Sequence, residues 1–171
     1  MQDGHEQGTL LSSERIRARF GSYGVEVLAA DHEQRVSNLY SLSGGRRICR
    51  SYAEVRFLLP VPPELAREHA RVLAGASIGA TFKAAGWRIE RRHLHVGETR
   101  LGPGEHAIAG LMGIDPDTPL ATHGYVFHVS RDDRGHDYAR ILERHHPDYL
   151  DAAEVAAIYG LAGPGAGRSV A

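Results

Sequence analysis

Apolar and polar positions alternate along much of the chain, and that alternation predicts most of its strands. Tyr23–Leu28 and Arg35–Leu42 read as extended, and Gly44-Gly45 turns the chain tightly into Arg47–Leu59, where Cys49, Ala53, Val55 and Phe57 share a face. Trp87–Val96 is a further strand. A closing hairpin runs out over Leu120–Ser130, turns at Asp132–Gly135 and returns over His136–His146. Between the strands the period changes to that of helices. Ser13 is placed to cap Glu14–Phe20, whose Ile16 and Phe20 lie four apart before Gly21 ends it. Pro60, Pro62 and Pro63 stop the third strand, and Pro63 suits the first turn of a helix over Glu64–Leu73, with Leu65, Val72 and Leu73 at core spacing. Short helices are expected from Ser77 to Gly86 and over Glu105–Met112, and Asp151 caps a last one to Tyr159. Hairpin-joined strands with interspersed helices predict an α+β domain: an antiparallel sheet with helices on one face. The expected organisation is a disordered arm over 1–11, one domain over 12–160 and a flexible tail over 161–171. No internal repeat is visible.

Composition narrows the function classes. The 171 residues, 42% hydrophobic and 24% charged, suit one globular domain with a real core. Twenty Lys and Arg nearly balance 21 acids, so nothing draws the chain to nucleic acid or an anionic membrane, although 11 histidines would turn the balance positive on acidification. The single Cys49 rules out an internal disulfide, and no basic or apolar leader or bilayer-length apolar run occurs. A cytoplasmic protein is expected, with a small molecule as its partner; the sequence sets no oligomeric state.

The candidate chemistry lies in three places. On the last strand Ala139, Ile141 and Glu143 project to one side, so a carboxylate shares a face with two apolar residues. Burying a carboxylate is costly without a partner, which makes Glu143 a candidate functional acid; the alternative is an edge-strand Glu reaching water. Arg35 shares a face with Ser37 and Leu39, and a guanidinium is the usual holder of carboxylates and phosphates. GASIGATF (75–82) opens a helix with small residues, leaving backbone N–H groups free for an anion or for close packing. His93 and His95 could join His145 or His146 around a metal, but no thiolate or HExxH pair supports this, and no metal is expected. GxGxxG, Walker and GxSxG patterns are absent, so no cofactor is expected either. The Arg46-Arg47-Arg50 group and Arg88, Arg91 and Arg92 read as solvated strand ends.

These residues together resemble chorismate lyase and the related UTRA effector-binding domains over about residues 12–150. SERIRARF (Ser13–Phe20) is similar to the helix before the lyase's first strand, and Arg35 stands before Gly44-Gly45 where the family's carboxylate-holding arginine precedes its turn. SIG (Ser77–Gly79) is similar to the lyase's PLG motif, which implies that the Ile78 amide, beside Gly79, meets the ligand. The family's essential glutamate lies in an ExxxP ending, matched by Glu143–Pro147, and the arginine of its third strand falls near Tyr52 or Arg50. SIGATFKAAGWRIERR, LMGIDPDTPL and the closing hairpin resemble UTRA domains. The resemblance implies a pocket for a small cyclic or aromatic carboxylate held by Arg35, or by Ser37 in its place, with Ile78, Gly79 and Tyr52. On the enzyme reading, taken first, Glu143 assists elimination of pyruvate from chorismate to give a hydroxybenzoate. On the alternative, the same pocket belongs to a stand-alone UTRA-like binding module without catalysis.

Overall fold

A computed structural model describes residues 10–161, with the backbone alone at His93 and Leu94. In chain order the elements are α1 (Ser12–Phe20), β1 (Gly24–Ala30), β2 (Gln34–Ser43), β3 (Arg46–Phe57), α2 (Ala66–Leu73) after a 3-10 turn, α3 (Ile78–Ala84), β4 (Arg88–Thr99), α4 (His106–Met112), β5 (Leu120–Arg131), β6 (Arg134–His145) and α5 (Ala152–Tyr159). The six strands form one sheet in the order β1-β2-β3-β6-β5-β4. All neighbours pair antiparallel, as the α+β reading expects.

The tight turns follow from residues that tolerate a positive φ. Gly44 and Gly45 sit at φ 54° and 77° between β2 and β3, while Asp132 and Asp133 sit at 49° and 64° between β5 and β6. Because β6 lies between β3 and β5, its inward residues are flanked on both sides. Ala139, Ile141 and Glu143 stand opposite Phe57, Val55 and Ala53 on β3. They also stand opposite Phe127, Tyr125 and His123 on β5. That face is the core.

Two clusters cover it. Leu65 and Val72 at the α2 end and Phe82 of α3 pack with Phe57, Phe127, Tyr138 and Ile141. Ile16 of α1 and Val155 of α5 pack with Ala121, Tyr149 and Leu150 at the other end. Burying each such side chain contributes about 1.5–3 kcal/mol. α4 instead sits on the reverse face, where Ile108, Ala109 and Met112 meet Cys49, Leu120 and Tyr52. Cys49 therefore does not share the face of Ala53 and Val55. The β2–β3 register steps from Leu39↔Ser51 to Tyr40↔Cys49, and this bulge at Arg50 inverts the alternation below it.

Helix ends differ from expectation in detail. α1 starts at Ser12, with Leu11 in the N-cap position and its N–H donating to Glu14 Oε2 at 2.8 Å, so Ser13 does not cap it. Leu11 is buried and belongs to the fold, although the expected arm included it. Residues 1–9 and 162–171, most of that arm and nearly all of the expected tail, lie outside the described residues. Asp151 caps α5 as expected: its Oδ1 accepts from the Glu154 N–H at 2.7 Å. Among the described residues no helix is long and apolar enough to cross a membrane.

Candidate functional site

Between the sheet and the α1–α3 layer lies a pocket that is partly open to solvent. Val25, Leu39, Ala53, Val55, Phe127 and Ile141 give it apolar walls, and Tyr23, Arg35, Ser37, Ser77, Arg91, Tyr125 and Glu143 bring polar groups into it. Ile78 and Gly79 close one side. A largely apolar hollow with a few convergent polar groups has the make-up of a small-molecule site. Arg35, Ser37, Ile78, Gly79 and Glu143, singled out from the sequence, are thus brought together.

Arg35 is 2% exposed, and its fork is largely occupied by the protein. Nε donates to Ser37 Oγ at 2.8 Å, and Nη1 donates to the carbonyls of Val72 at 2.8 Å and Ala76 at 2.6 Å. Arg35 and Ser37 are therefore partners rather than rivals for one position. The guanidinium also ties down the carbonyl end of α2 and the loop leading to Ser77–Gly79, a favourable place for a cation. Burial holds its pKa below the usual arginine value, while Tyr23 and Tyr138 pull it up. No carboxylate pairs with it among the described residues.

Gly79 is explained by packing. A Cβ there would stand 2.8 Å from Leu11 Cδ2, so any larger residue would have to displace the Leu11 side chain that packs on α3 just before α1. Ser77 precedes the first turn of α3, whose leading N–H groups have no acceptor within the helix.

Glu143 is 4% exposed. Burial drives its carboxyl above the usual carboxylate range, against the pull of Arg91 and Arg15 and of the Ser12 and Tyr125 hydroxyls. Ser12 Oγ donates to Oε1 at 3.4 Å. Its place in the cavity wall excludes the solvated edge-strand alternative, since β6 is an interior strand.

Sequence reasoning missed Arg91, which it placed with the solvated arginines. Arg88 and Arg92 are exposed, but Arg91 enters the cavity. Its Nε is buried with no hydrogen-bond partner among the described residues. Burial works against its charge; Tyr159, Tyr125 and Glu143 outweigh it and raise its pKa on balance. The available signal was its phase with Ile89, which packs against the core. Arg50 was placed with the same group, yet it is buried, donates from Nε to Ser41 Oγ at 2.8 Å and lies 3.8 Å over the Phe20 ring.

Tyr52 is the sequence-selected site residue that lies elsewhere. It neighbours Ala53 on β3 and so points to the reverse face, against the α4 cluster. Of the histidines weighed as metal ligands, His95 and His146 join no group of three or more potential ligand side chains among the described residues. His95 is exposed near Thr122, and the His146 ring bonds to the Met112 carbonyl and the Asp148 N–H. The His93 side chain is outside the described set.

No protein-family model matches the chain, and no curated protein does. Among solved structures it is similar to PhnF from Mycobacterium smegmatis, with 18% identity and a TM-score of 0.57 over 83% of this chain. It spans 66% of that PhnF chain. The PhnF C-terminal domain matches with 12% identity and a TM-score of 0.47, over 82% of this chain and 78% of the other. The ligand-binding domain of a transcriptional regulator assigned to the GntR family, from Bordetella bronchiseptica, matches with 14% identity and a TM-score of 0.47, over 75% of this chain and 85% of the other. At this identity the PhnF likeness shows a shared fold alone, an antiparallel α+β sheet with packed helices.

Proposed function

We propose that this chain is a UTRA-like module that binds a small cyclic or aromatic carboxylate in the cavity between its sheet and helices. The observation that carries the reading is the charge inside an apolar enclosure. Arg35 and Arg91 both enter it, while Glu143, the one acid in its wall among the described residues, is driven towards its neutral form. A desolvated cation without a full counter-charge is costly, and an anionic ligand supplies that charge where water screens it little. The apolar walls suit a ring, and Ser77, the leading amide of α3 and Tyr23 provide directional bonds at its edge. The likeness in fold to regulator domains supports binding without chemistry over the lyase reading taken first from the sequence.

One observation keeps a second reading in view. A buried carboxyl with a raised pKa, in a pocket fit for a ring, is what general-acid help in pyruvate elimination requires. Mixing the protein with chorismate while following pyruvate and hydroxybenzoate, alongside thermal shifts with each compound, separates the two. Stabilisation without turnover supports the binding module. Pyruvate release that Glu143→Gln reduces by about 10²–10⁴-fold supports the lyase. Neither stabilisation nor turnover with any ring carboxylate contradicts both.

A further inference from the structure

Glu143 has two histidines beside it that carboxylate binding leaves unused. β5 and β6 pair with His123 opposite Glu143, and His145 follows two residues later on the same face of β6. One potential ligand atom from each of His123, Glu143 and His145 lies within 4.8 Å of the other two. All three side chains are buried, at 0%, 4% and 2% exposure. His145 Nε2 stands 4.0 Å from Glu143 Oε2, too far for a hydrogen bond, and has no hydrogen-bond partner among the described residues. A buried ring nitrogen and a buried carboxylate oxygen thus face each other across a gap that neither fills.

The other side of His145 is fixed. Its Nδ1 is 3.1 Å from Ser51 Oγ, and Ser51 is itself fully buried. A metal-bound histidine uses its second ring nitrogen in this way, to hold the ring in register while the first binds the ion. Two imidazoles and one carboxylate on a rigid sheet form a donor set suited to Zn²⁺ and neighbouring first-row dications, with further positions open to a ligand.

We propose that His123, Glu143 and His145 form a divalent transition-metal site in the wall of the cavity. Metal–ligand bonds of about 2.0–2.2 Å place donor atoms roughly 3–3.5 Å apart, so small side-chain rotations close the 4.0 Å gap. The site opens to the cavity through Glu143. Arg15 and Arg91 also face that carboxylate and oppose a second cation beside it, so an anion in the open metal position strengthens metal binding, and the metal strengthens anion binding equally. The proposal shares Glu143 with the carboxylate reading but rests on the three side chains alone.

The test is calorimetric titration of chelator-treated, full-length protein with Zn²⁺ alone, and with Co²⁺ followed by visible absorption. One ion per chain is expected, with absorption bands of a nitrogen-ligated Co²⁺ centre. His123→Ala and His145→Ala should abolish saturable binding, while His95→Ala, at an exposed site, leaves it unchanged. Should either ligand variant fail to fold by circular dichroism, Ser51→Ala serves instead and should weaken Zn²⁺ binding about 10–100-fold. A flat wild-type titration overturns the site, as does an isotherm unchanged in the ligand and Ser51 variants. Loss of Zn²⁺ binding with carboxylate binding intact, or the reverse, tells failure of one claim from failure of the other.

Discussion

Two arginines meet the cavity in different ways, and the difference decides what each substitution reports. Three hydrogen bonds tie Arg35 to Ser37 and to the Val72 and Ala76 carbonyls. Arg35→Ala therefore loosens the loop before α3 as well as any ligand, and both melting temperature and affinity should fall. Arg91 is the cleaner probe: Arg91→Ala should weaken a ring carboxylate by about 1.5–3 kcal/mol, the range for a charge-assisted hydrogen bond, and Tyr52→Phe on the reverse face should leave affinity unchanged. Calorimetry on the two variants checks the assignment of faces. His69 supplies a pH test away from the cavity wall. Its Nδ1 is 2.8 Å from Tyr138 Oη, and burial lowers its pKa below the usual 6.5. Folding thus favours the neutral ring, so its contribution is complete above pH 6.5 and is lost as pH falls through 6.5 towards the lower folded value. His69→Gln should flatten the fall in melting temperature over that window; an unaltered pH profile contradicts the assignment.

At the scale of elements, periodicity was informative wherever a strand or helix was regular. The alternation Ala139, Ile141, Glu143 placed a carboxylate on the core side because β6 runs without interruption from Ala139 to Glu143 opposite β3. The same reasoning misplaced Cys49, since the bulge at Arg50 adds one residue and reverses every side chain beyond it, and no residue type in RRICRSY announces a bulge. Arg91 was hidden differently. RIERRHLH reads as a basic surface run, and only tertiary placement of β4 beside β5, with α5 against both, encloses one arginine of the three. Helix caps were half legible: Asp151 is a capping side chain with Glu154 three residues on, whereas Leu11 occupies the cap position of α1 with only Glu14 to signal it. Asp151→Ala should cost about 1 kcal/mol, a fall of roughly 2–4 °C in melting temperature for a chain of this size. Thermal unfolding of that variant checks the cap, and an unchanged midpoint contradicts it.

For the whole molecule, the sheet order puts β6 in the interior, so the carboxylate, Arg91 and both histidines are fixed by strands instead of loops, while Arg15 reaches the carboxylate from α1. A site held in this way changes little in shape on binding, and a ligand selective for the folded state stabilises it in proportion to the logarithm of its concentration. At one hundred times its dissociation constant a ring carboxylate should add about 2.7 kcal/mol. The corresponding rise in melting temperature is roughly 5–10 °C. The central claim is that the cavity takes an anionic ring because its buried guanidinium groups lack a full counter-charge. Its most direct test is calorimetric titration of the wild-type protein with 4-hydroxybenzoate and with the isosteric neutral 4-hydroxybenzamide, repeated on Arg91→Ala. The account predicts saturable one-to-one binding of the carboxylate, binding of the amide at least tenfold weaker, and loss of that preference in Arg91→Ala. Equal affinities for acid and amide in the wild type, or a preference that survives in Arg91→Ala, would contradict it.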